Sequence, residues 1–184
     1  MRVLCITVVI AAVLLTGCGD LLSVEAVANK DNTVFDPALV GAWNAGDAVV
    51  IVQAGDDHAY RIHWVGAEGN TETPRFVRME GRLARIGDQR LLDLSTSEAG
   101  AGAFTIPCHV FLRIRTVKDG LKVQFVDSKW IREQLKSSSL ASFTKDNHPV
   151  LTAPAAQVEA FLVKFGFDER ALDEPMVLRP LKQK

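Results

Sequence analysis

The stretch IPCHVFLRIRTVKDGLKVQF, residues 106–125, decides the fold class. Apolar side chains occupy alternate positions on both sides of the Asp119-Gly120 pair. Successive side chains of a β-strand point to opposite faces, and Asp-Gly between two alternating runs is a strong signal for a tight hairpin turn. The stretch therefore predicts two antiparallel strands, each with one apolar face.

The same pattern extends toward the N-terminus. A β-branched run covers residues 47–53, alternation follows at 60–64, and further strands are predicted at 75–86 and 91–94 around a Gly87-Asp88 turn. Short strands at this spacing are typical of an antiparallel meander or a small barrel-like sheet.

The last third of the chain has a helical period. Asp127 or Ser128 is placed to cap a helix that ends in the serine cluster at 137–139. A second helix is predicted from Pro154 to a stop at Gly166, and four apolar residues share one of its faces: Val158, Phe161, Leu162 and Phe165.

Residues 143–149 are interpreted as a loop, and a final short strand is predicted over 175–181. The fold class expected from the sequence is thus mainly β (α+β), with an antiparallel meander or small barrel-like sheet and two C-terminal helices. About 150 residues lie from position 35 onward, which is enough for one core.

The N-terminus has the pattern of an export signal. Arg2 is followed by an apolar run over residues 3–15 that is too short for a comfortable membrane span. The closing Leu15-Thr16-Gly17-Cys18 resembles the lipobox of bacterial lipoproteins. That resemblance implies cleavage after Gly17 and a diacylglycerol on the Cys18 sulfur, so that the protein is a lipid-anchored protein of the cell envelope.

In such lipoproteins an Asp directly after the lipidated Cys favours the inner membrane, and here Gly19 occupies that place. The resemblance therefore favours the periplasmic face of the outer membrane. The predicted organisation is a signal peptide at 1–17, a lipidated tether at 18–34 that is helical around Leu21 to Ala28, and one β-rich domain at 35–184.

The predicted domain opens with a second resemblance. Gly41-Ala42-Trp43 resembles the entry motif of lipocalins and related barrels. In those folds the Trp closes the barrel floor and the interior binds a small apolar ligand. Neither the family's later Thr-Asp-Tyr element nor a matching late Arg is found here. The alternative interpretation of Trp43 is a core anchor of an unrelated open meander or barrel.

The sequence offers no catalytic constellation, metal site or cofactor motif. The four histidines lack a metal-ligand spacing, and adjacent strand residues such as Cys108 and His109 point to opposite faces. The Ser142 to Lys145 spacing has none of the companion motifs of a serine hydrolase. Cys108, the cysteine left after the leader is removed and Cys18 is lipidated, is interpreted as a buried thiol.

Charge excludes nucleic acid as a partner. The full chain carries a net charge of −1, and loss of the leader removes a single charged residue, Arg2. A near-neutral domain gives no electrostatic drive toward polyanions. Basic residues do gather over one predicted hairpin and a nearby strand, where they are interpreted as a solvated sheet face rather than a contact for anionic lipid or an acidic partner: Arg75, Arg78, Arg82, Arg85, Arg90, Arg113 and Arg115.

Three functions remain open at this point. The leading hypothesis is a non-catalytic binding or interaction module. In this hypothesis the apolar side chains of the strands fill the core and leave no cavity. The second is a lipocalin-like carrier of a small apolar ligand, which needs a cavity. The third is an enzyme whose residues are scattered beyond motif recognition. Partner and ligand are not identified by the sequence.

Overall fold

A computed structural model describes residues 21–67, 74–95, 108–145 and 148–181. Within these ranges the chain forms strands β1 (Leu22–Ser23), β2 (Thr33–Val34), β3 (Gly41–Asn44), β4 (Ala48–Ala54), β5 (Ala59–Ala67), β6 (Pro74–Ile86), β7 (Gln89–Ser95), β8 (His109–Val117), β9 (Gly120–Phe125), β10 (Ser142–Lys145), β11 (His148–Leu151) and β12 (Met176–Pro180). Its α-helices are α1 (Ser128–Lys136) and α2 (Ala155–Phe161), and a π-turn at Leu162–Gly166 extends α2. Among these residues no helix is long and apolar enough to cross a membrane.

Eight strands close into an antiparallel barrel. Strands β3 to β9 pair in sequence order, and β12 lies between β9 and β3 and completes the ring. We call the end that holds the β6–β7 and β8–β9 turns the lower end, and the end where β6 and β8 begin the upper end. The expectation of a mainly β fold with two C-terminal helices is confirmed.

The alternation read from the sequence sets which side chains enter the barrel. On β4, Val50 and Val52 point inward and are buried, whereas Ile51 between them is exposed. On β8, Leu112 and Ile114 point inward while Arg115 is exposed. A register slip by one residue would reverse every one of these orientations, so the apolar pattern fixes the pairing.

Closure depends on the glycine of the predicted β8–β9 turn. Gly120 has a φ of +148°, and a Cβ at this position would lie 2.0 Å from the carbonyl oxygen of Leu178 on β12. Only glycine allows the backbones of β9 and β12 to approach this closely.

Residues 21–34 differ from the expected tether, and they form no helix. Strand β1 is inserted between β8 and β11, and β2 pairs with β6 near the lower end. Leu21 and Val27 are buried. The segment runs along the outside of the barrel from the upper end toward the lower end, because its apolar side chains and backbone amides find partners on β6, β7 and β8.

The prediction of a loop at 143–149 is also wrong for those of its residues that the structure describes. Strands β10 and β11 form an antiparallel hairpin, although residues 146–147 lie outside the described part. Pro149 has no N–H to donate, and a proline in a sequence argues against a strand, so β11 could not be recognised from the sequence. The predicted final strand at 175–181 is confirmed as β12.

Both predicted helices are confirmed and cover one outer side of the barrel. Asp127 caps α1 by accepting a hydrogen bond from the Lys129 N–H at 2.6 Å. The apolar face of α2 packs into a second core with the outward side chains of β6, β7 and β8. Val158, Phe161 and Leu162 are buried there, and Phe165 is half-buried.

One member of the basic group is not solvated. Arg113 is 1 % exposed, and its guanidinium donates to both carboxylate oxygens of Glu169, at 2.8 and 3.0 Å, and to Gln124 at 2.7 Å. The expected solvated face holds for Arg78, Arg85 and Arg115, which are exposed. It fails for Arg113 because the segment after α2 folds over this strand.

Of the remaining members, Arg82 and Arg90 are half-buried. The side chain of Arg75 lies outside the described residues.

Candidate ligand-binding cavity

The barrel encloses a cavity of about 600 Å³. Seven of the eight barrel strands contribute inward side chains to its wall. Pockets for small ligands in proteins have volumes of about 300 to 1,000 Å³. The interior is therefore hollow, and its size suits one small molecule.

The described wall is apolar. It consists mainly of aliphatic side chains with Met79, Met176 and a few aromatic residues, and no Asp, Glu, Lys, Arg or His is among them. A charged group that entered this space would lose its water without gaining a partner, which is costly. The methionines have flexible, polarisable side chains that adapt to irregular ligand shapes.

The lower end is closed by the residues around Gly41-Ala42-Trp43. A turn of 3₁₀-helix at Pro37–Leu39 precedes β3, and Leu39 is buried and contributes to the cavity wall. The indole Nε1 of Trp43 donates to the carbonyl oxygen of Leu39 at 3.0 Å. Trp43 therefore holds the floor of the barrel in place.

Tyr60 places the one phenol of the chain at this floor. Its hydroxyl accepts a hydrogen bond from the Asp36 N–H at 2.7 Å and donates to the Asp36 carbonyl oxygen at 3.2 Å. Burial raises the pKa of Tyr60, which keeps the phenol neutral. Phe35 stacks on its ring at 5.2 Å, and Arg90 pairs with the Asp36 carboxylate at 2.5 Å.

The cavity meets solvent at the upper end. Five wall residues near the upper end are half-buried: Trp64, Val77, Val110, Phe125 and Met176. Residues 68–73 and 96–107, which connect strands at this end, lie outside the described residues. We call this end the mouth.

A second polar group lies outside the barrel wall. The buried carboxylate of Asp93 accepts hydrogen bonds from the N–H groups of Val27 and Ala28, at 2.7 and 3.0 Å, and its other oxygen lies 2.6 Å from His109 Nδ1. The hydrogen bond to Asp93 raises the pKa of His109, and desolvation opposes the shift. This group fastens the N-terminal segment to β7 and β8 and does not contribute to the cavity wall.

The positions singled out in the sequence have different outcomes. Cys18 lies outside the described residues, so its lipidation stays a prediction. Cys108 is half-buried rather than buried, since it lies just before β8 at the mouth. Trp43 lies at the floor of the barrel, and the lipocalin resemblance itself stays a prediction. Within the described ranges no three His, Cys, Asp or Glu side chains are grouped as metal ligands would be.

The cavity wall is what sequence reasoning missed. Alternation predicts which side chains share the apolar face of a strand, yet it does not give the width of the space that they enter. Comparison of the chain with family models, with curated proteins and with solved structures finds no match in any of the three.

Proposed function

We propose that this protein binds one small, uncharged apolar ligand inside its barrel and acts as a non-catalytic carrier in a bacterial cell envelope. The observation that carries the proposal is the apolar cavity of about 600 Å³ in a closed eight-stranded barrel. Barrels of eight strands are just wide enough to be filled by side chains or to hold one small ligand. The hollow interior favours a carrier over an interaction module with a filled core.

The chemistry of the wall supports an uncharged ligand. Burial of apolar surface contributes about 25 cal/mol per Å² to the free energy of binding. The described wall of this cavity is largely apolar and would make that contribution. The one phenol at the floor already uses its hydroxyl on Asp36. Binding, rather than a reaction, is what such a wall supports.

The proposed location rests on the leader. A lipid on Cys18 would anchor the chain, because each buried CH₂ of an acyl chain contributes roughly 0.8 kcal/mol. Gly19 after the cysteine favours the periplasmic face of the outer membrane. Leu21 is already buried in the fold. Leu21 follows Cys18 by three residues, which span at most about 11 Å, so the barrel would be held close to the membrane.

The test uses neighbouring residues on opposite faces of β4. Val50 points into the cavity and Ile51 points outward. The chain from Gly19 onward, which contains all of the described fold, is titrated with 1-aminoanthracene, a small uncharged fluorophore. Val50→Trp should weaken binding by about tenfold or more, which corresponds to about 1.4 kcal/mol, because the indole occupies ligand space. Ile51→Trp should bind the fluorophore as the unmodified chain does.

Urea midpoints of both variants separate loss of the cavity from loss of the fold. Equal affinity in all three proteins would show that the fluorophore does not enter the barrel. Failure of the unmodified chain to bind it at all would reject the proposal for ligands of this kind.

A further inference from the structure

Trp64 on β5 brings a polar group into the apolar cavity. Its side chain points inward and contributes to the wall, as does Gly66 two positions further along the strand. A Cβ placed on Gly66 would lie 3.1 Å from the Nε1 atom of Trp64. The indole nitrogen therefore lies inside the barrel, in the space that a side chain at position 66 would occupy.

The N–H of Trp64 has no hydrogen-bond acceptor within the described part of the chain. Trp43 differs, because its Nε1 donates to the carbonyl oxygen of Leu39 at 3.0 Å. Trp64 is half-buried, and its Nε1 does not belong to the described side-chain atoms that are both unpaired and sealed from solvent. A Trp in an apolar environment usually has a partner for its N–H. This donor is therefore open to a molecule in the barrel.

The other polar side chain of the described wall is already satisfied. Tyr60 lies four residues before Trp64, about 13 Å away along the strand. Its hydroxyl both accepts from and donates to the backbone of Asp36. The described wall contains no charged side chain. It thus offers a ligand one free side-chain donor, at Trp64, and no charge to pair with.

From this arrangement we infer that the ligand is a neutral apolar molecule with one carbonyl or ether oxygen, which accepts a hydrogen bond from the N–H of Trp64. The inference rests on the proposed carrier function and adds the chemistry of the ligand. An indole nitrogen only donates, so the complementary group has to be an acceptor. A carboxylate would also accept, but it would bring an unpaired charge into an apolar space.

The same donor works against a pure hydrocarbon. A ligand that cuts the N–H of Trp64 off from water without replacing the lost acceptor leaves it unsatisfied, and this costs more than an ordinary hydrogen bond contributes. A ligand with a suitably placed oxygen avoids that cost. Trp64 therefore selects for the acceptor, while the aliphatic side chains toward the floor bind the hydrocarbon body.

The test compares two uncharged probes of nearly the same shape. 9-Fluorenone has a carbonyl group where fluorene has a methylene group. Their dissociation constants are measured by displacement of 1-aminoanthracene from the chain that begins at Gly19. Trp64→Phe should weaken the binding of fluorenone about fivefold more than that of fluorene, because it removes one hydrogen bond and keeps an aromatic ring.

Phe125→Leu is the matched control. Phe125 is another half-buried aromatic residue of the wall, and its side chain has no polar atom. Its truncation should change the affinities for fluorenone and fluorene by the same factor. Urea midpoints of both variants show whether the fold is retained.

A second measurement uses the unmodified chain and does not depend on the stability of a variant. The chain has three tryptophans, whose indole N–H resonances are assigned in the ¹⁵N-labelled protein by triple-resonance spectra. Fluorenone should move the Trp64 proton downfield, as a new hydrogen bond does, and fluorene should not. Trp43, whose N–H is already bonded, and Trp130, on α1 outside the barrel, are internal controls.

The outcomes separate this inference from the carrier function. Equal losses of affinity for both probes in Trp64→Phe, or equal shifts of the Trp64 resonance with both, would overturn the inference and leave the carrier function standing. A larger fluorenone shift at Trp43 than at Trp64 would also overturn it, because the carbonyl would then lie at the floor. If neither 1-aminoanthracene nor either probe binds the unmodified chain, the carrier function is rejected and the inference with it.

Discussion

At the scale of single residues, Asp93 shows how one buried carboxylate organises a long segment. One of its oxygens accepts hydrogen bonds from the N–H groups of Val27 and Ala28, and the other contacts His109. A buried carboxylate without such partners would be strongly destabilising. With these partners, Asp93 holds the N-terminal segment against the barrel. The segment has only short strands, and few of its side chains are large at this point.

The raised pKa of His109 predicts a pH dependence of stability. The folded pKa lies above the unfolded value of about 6.5, so the protonated ring favours the folded state. This contribution is fully present below pH 6.5 and is lost as the pH rises through the folded pKa. The free energy of unfolding should therefore decrease as the pH rises above about 6.5, a range in which exposed carboxylates stay ionised.

Urea unfolding of His109→Gln across this range should show a flatter dependence than the unmodified chain. His63→Gln is the matched control, because His63 contacts Phe76 and lies outside this group. If His109→Gln keeps the full slope, the contact with Asp93 does not stabilise the protonated ring.

Arg113 marks what the sequence cannot foresee at this scale. Its alternation with Ile114 correctly places it outside the barrel, and an outward Arg is ordinarily solvated. Its burial depends on Glu169, which is distant in sequence and reaches it only because the chain returns over β8 after α2. No local pattern encodes that return.

At the scale of elements, α2 is stabilised by packing. An isolated helix of this length is marginal in water, so the buried face of α2 must supply its stability. Phe161 contacts the second core and Phe165, with ring centroids 5.0 Å apart.

Truncation of Phe161 should therefore lower stability strongly. Phe161→Ala should cost about 3 to 5 kcal/mol, the usual range for a buried Phe. The matched control is Val163→Ala in the exposed part of the adjoining π-turn, which should stay within about 0.5 kcal/mol. Urea midpoints measure both. Coincident midpoints for the two variants would mean that α2 does not contribute to the cooperative fold.

The elements that the sequence predicted are mainly those in which a pattern of apolar residues repeats several times. Strands β5, β6, β8 and β9 alternate over enough residues to be recognised, β4 has a β-branched run and β7 follows a turn signal. Helix α2 and its π-turn together have a four-residue apolar face. Strand β1 has two residues, and β11 contains Pro149, so neither shows a usable period. These short strands exist because neighbouring strands supply their partners, which is tertiary information.

At the scale of the whole molecule, the sequence predicted a barrel-like sheet but not whether it was hollow. The number of strands in the ring and the glycine approach at Gly120 decide the width of the interior, and both depend on β12 arriving from the far end of the chain. The cavity is consequently a property of closure and not of any one strand.

Attachment to the envelope is also tested on the whole molecule. Cells that express the protein and are fed a radioactive fatty acid should label the unmodified chain and not Cys18→Ala, because the predicted lipobox would place the acyl acceptor at that sulfur. Cys108→Ala is the matched control and should label normally. Label that persists on Cys18→Ala would refute the predicted acylation site.

The position of β12 has a consequence for how the barrel forms in time. Trp43, on the first barrel strand, pairs with Pro180, on the last. A chain made from its N-terminus can therefore complete seven consecutive strands while the facing edges of β3 and β9 still lack their partner. Folds that depend on such distant pairings form slowly, and unpaired strand edges invite association with other chains. Because the cavity is not complete until β12 lies between β9 and β3, the barrel can enclose a ligand only after this last pairing has formed.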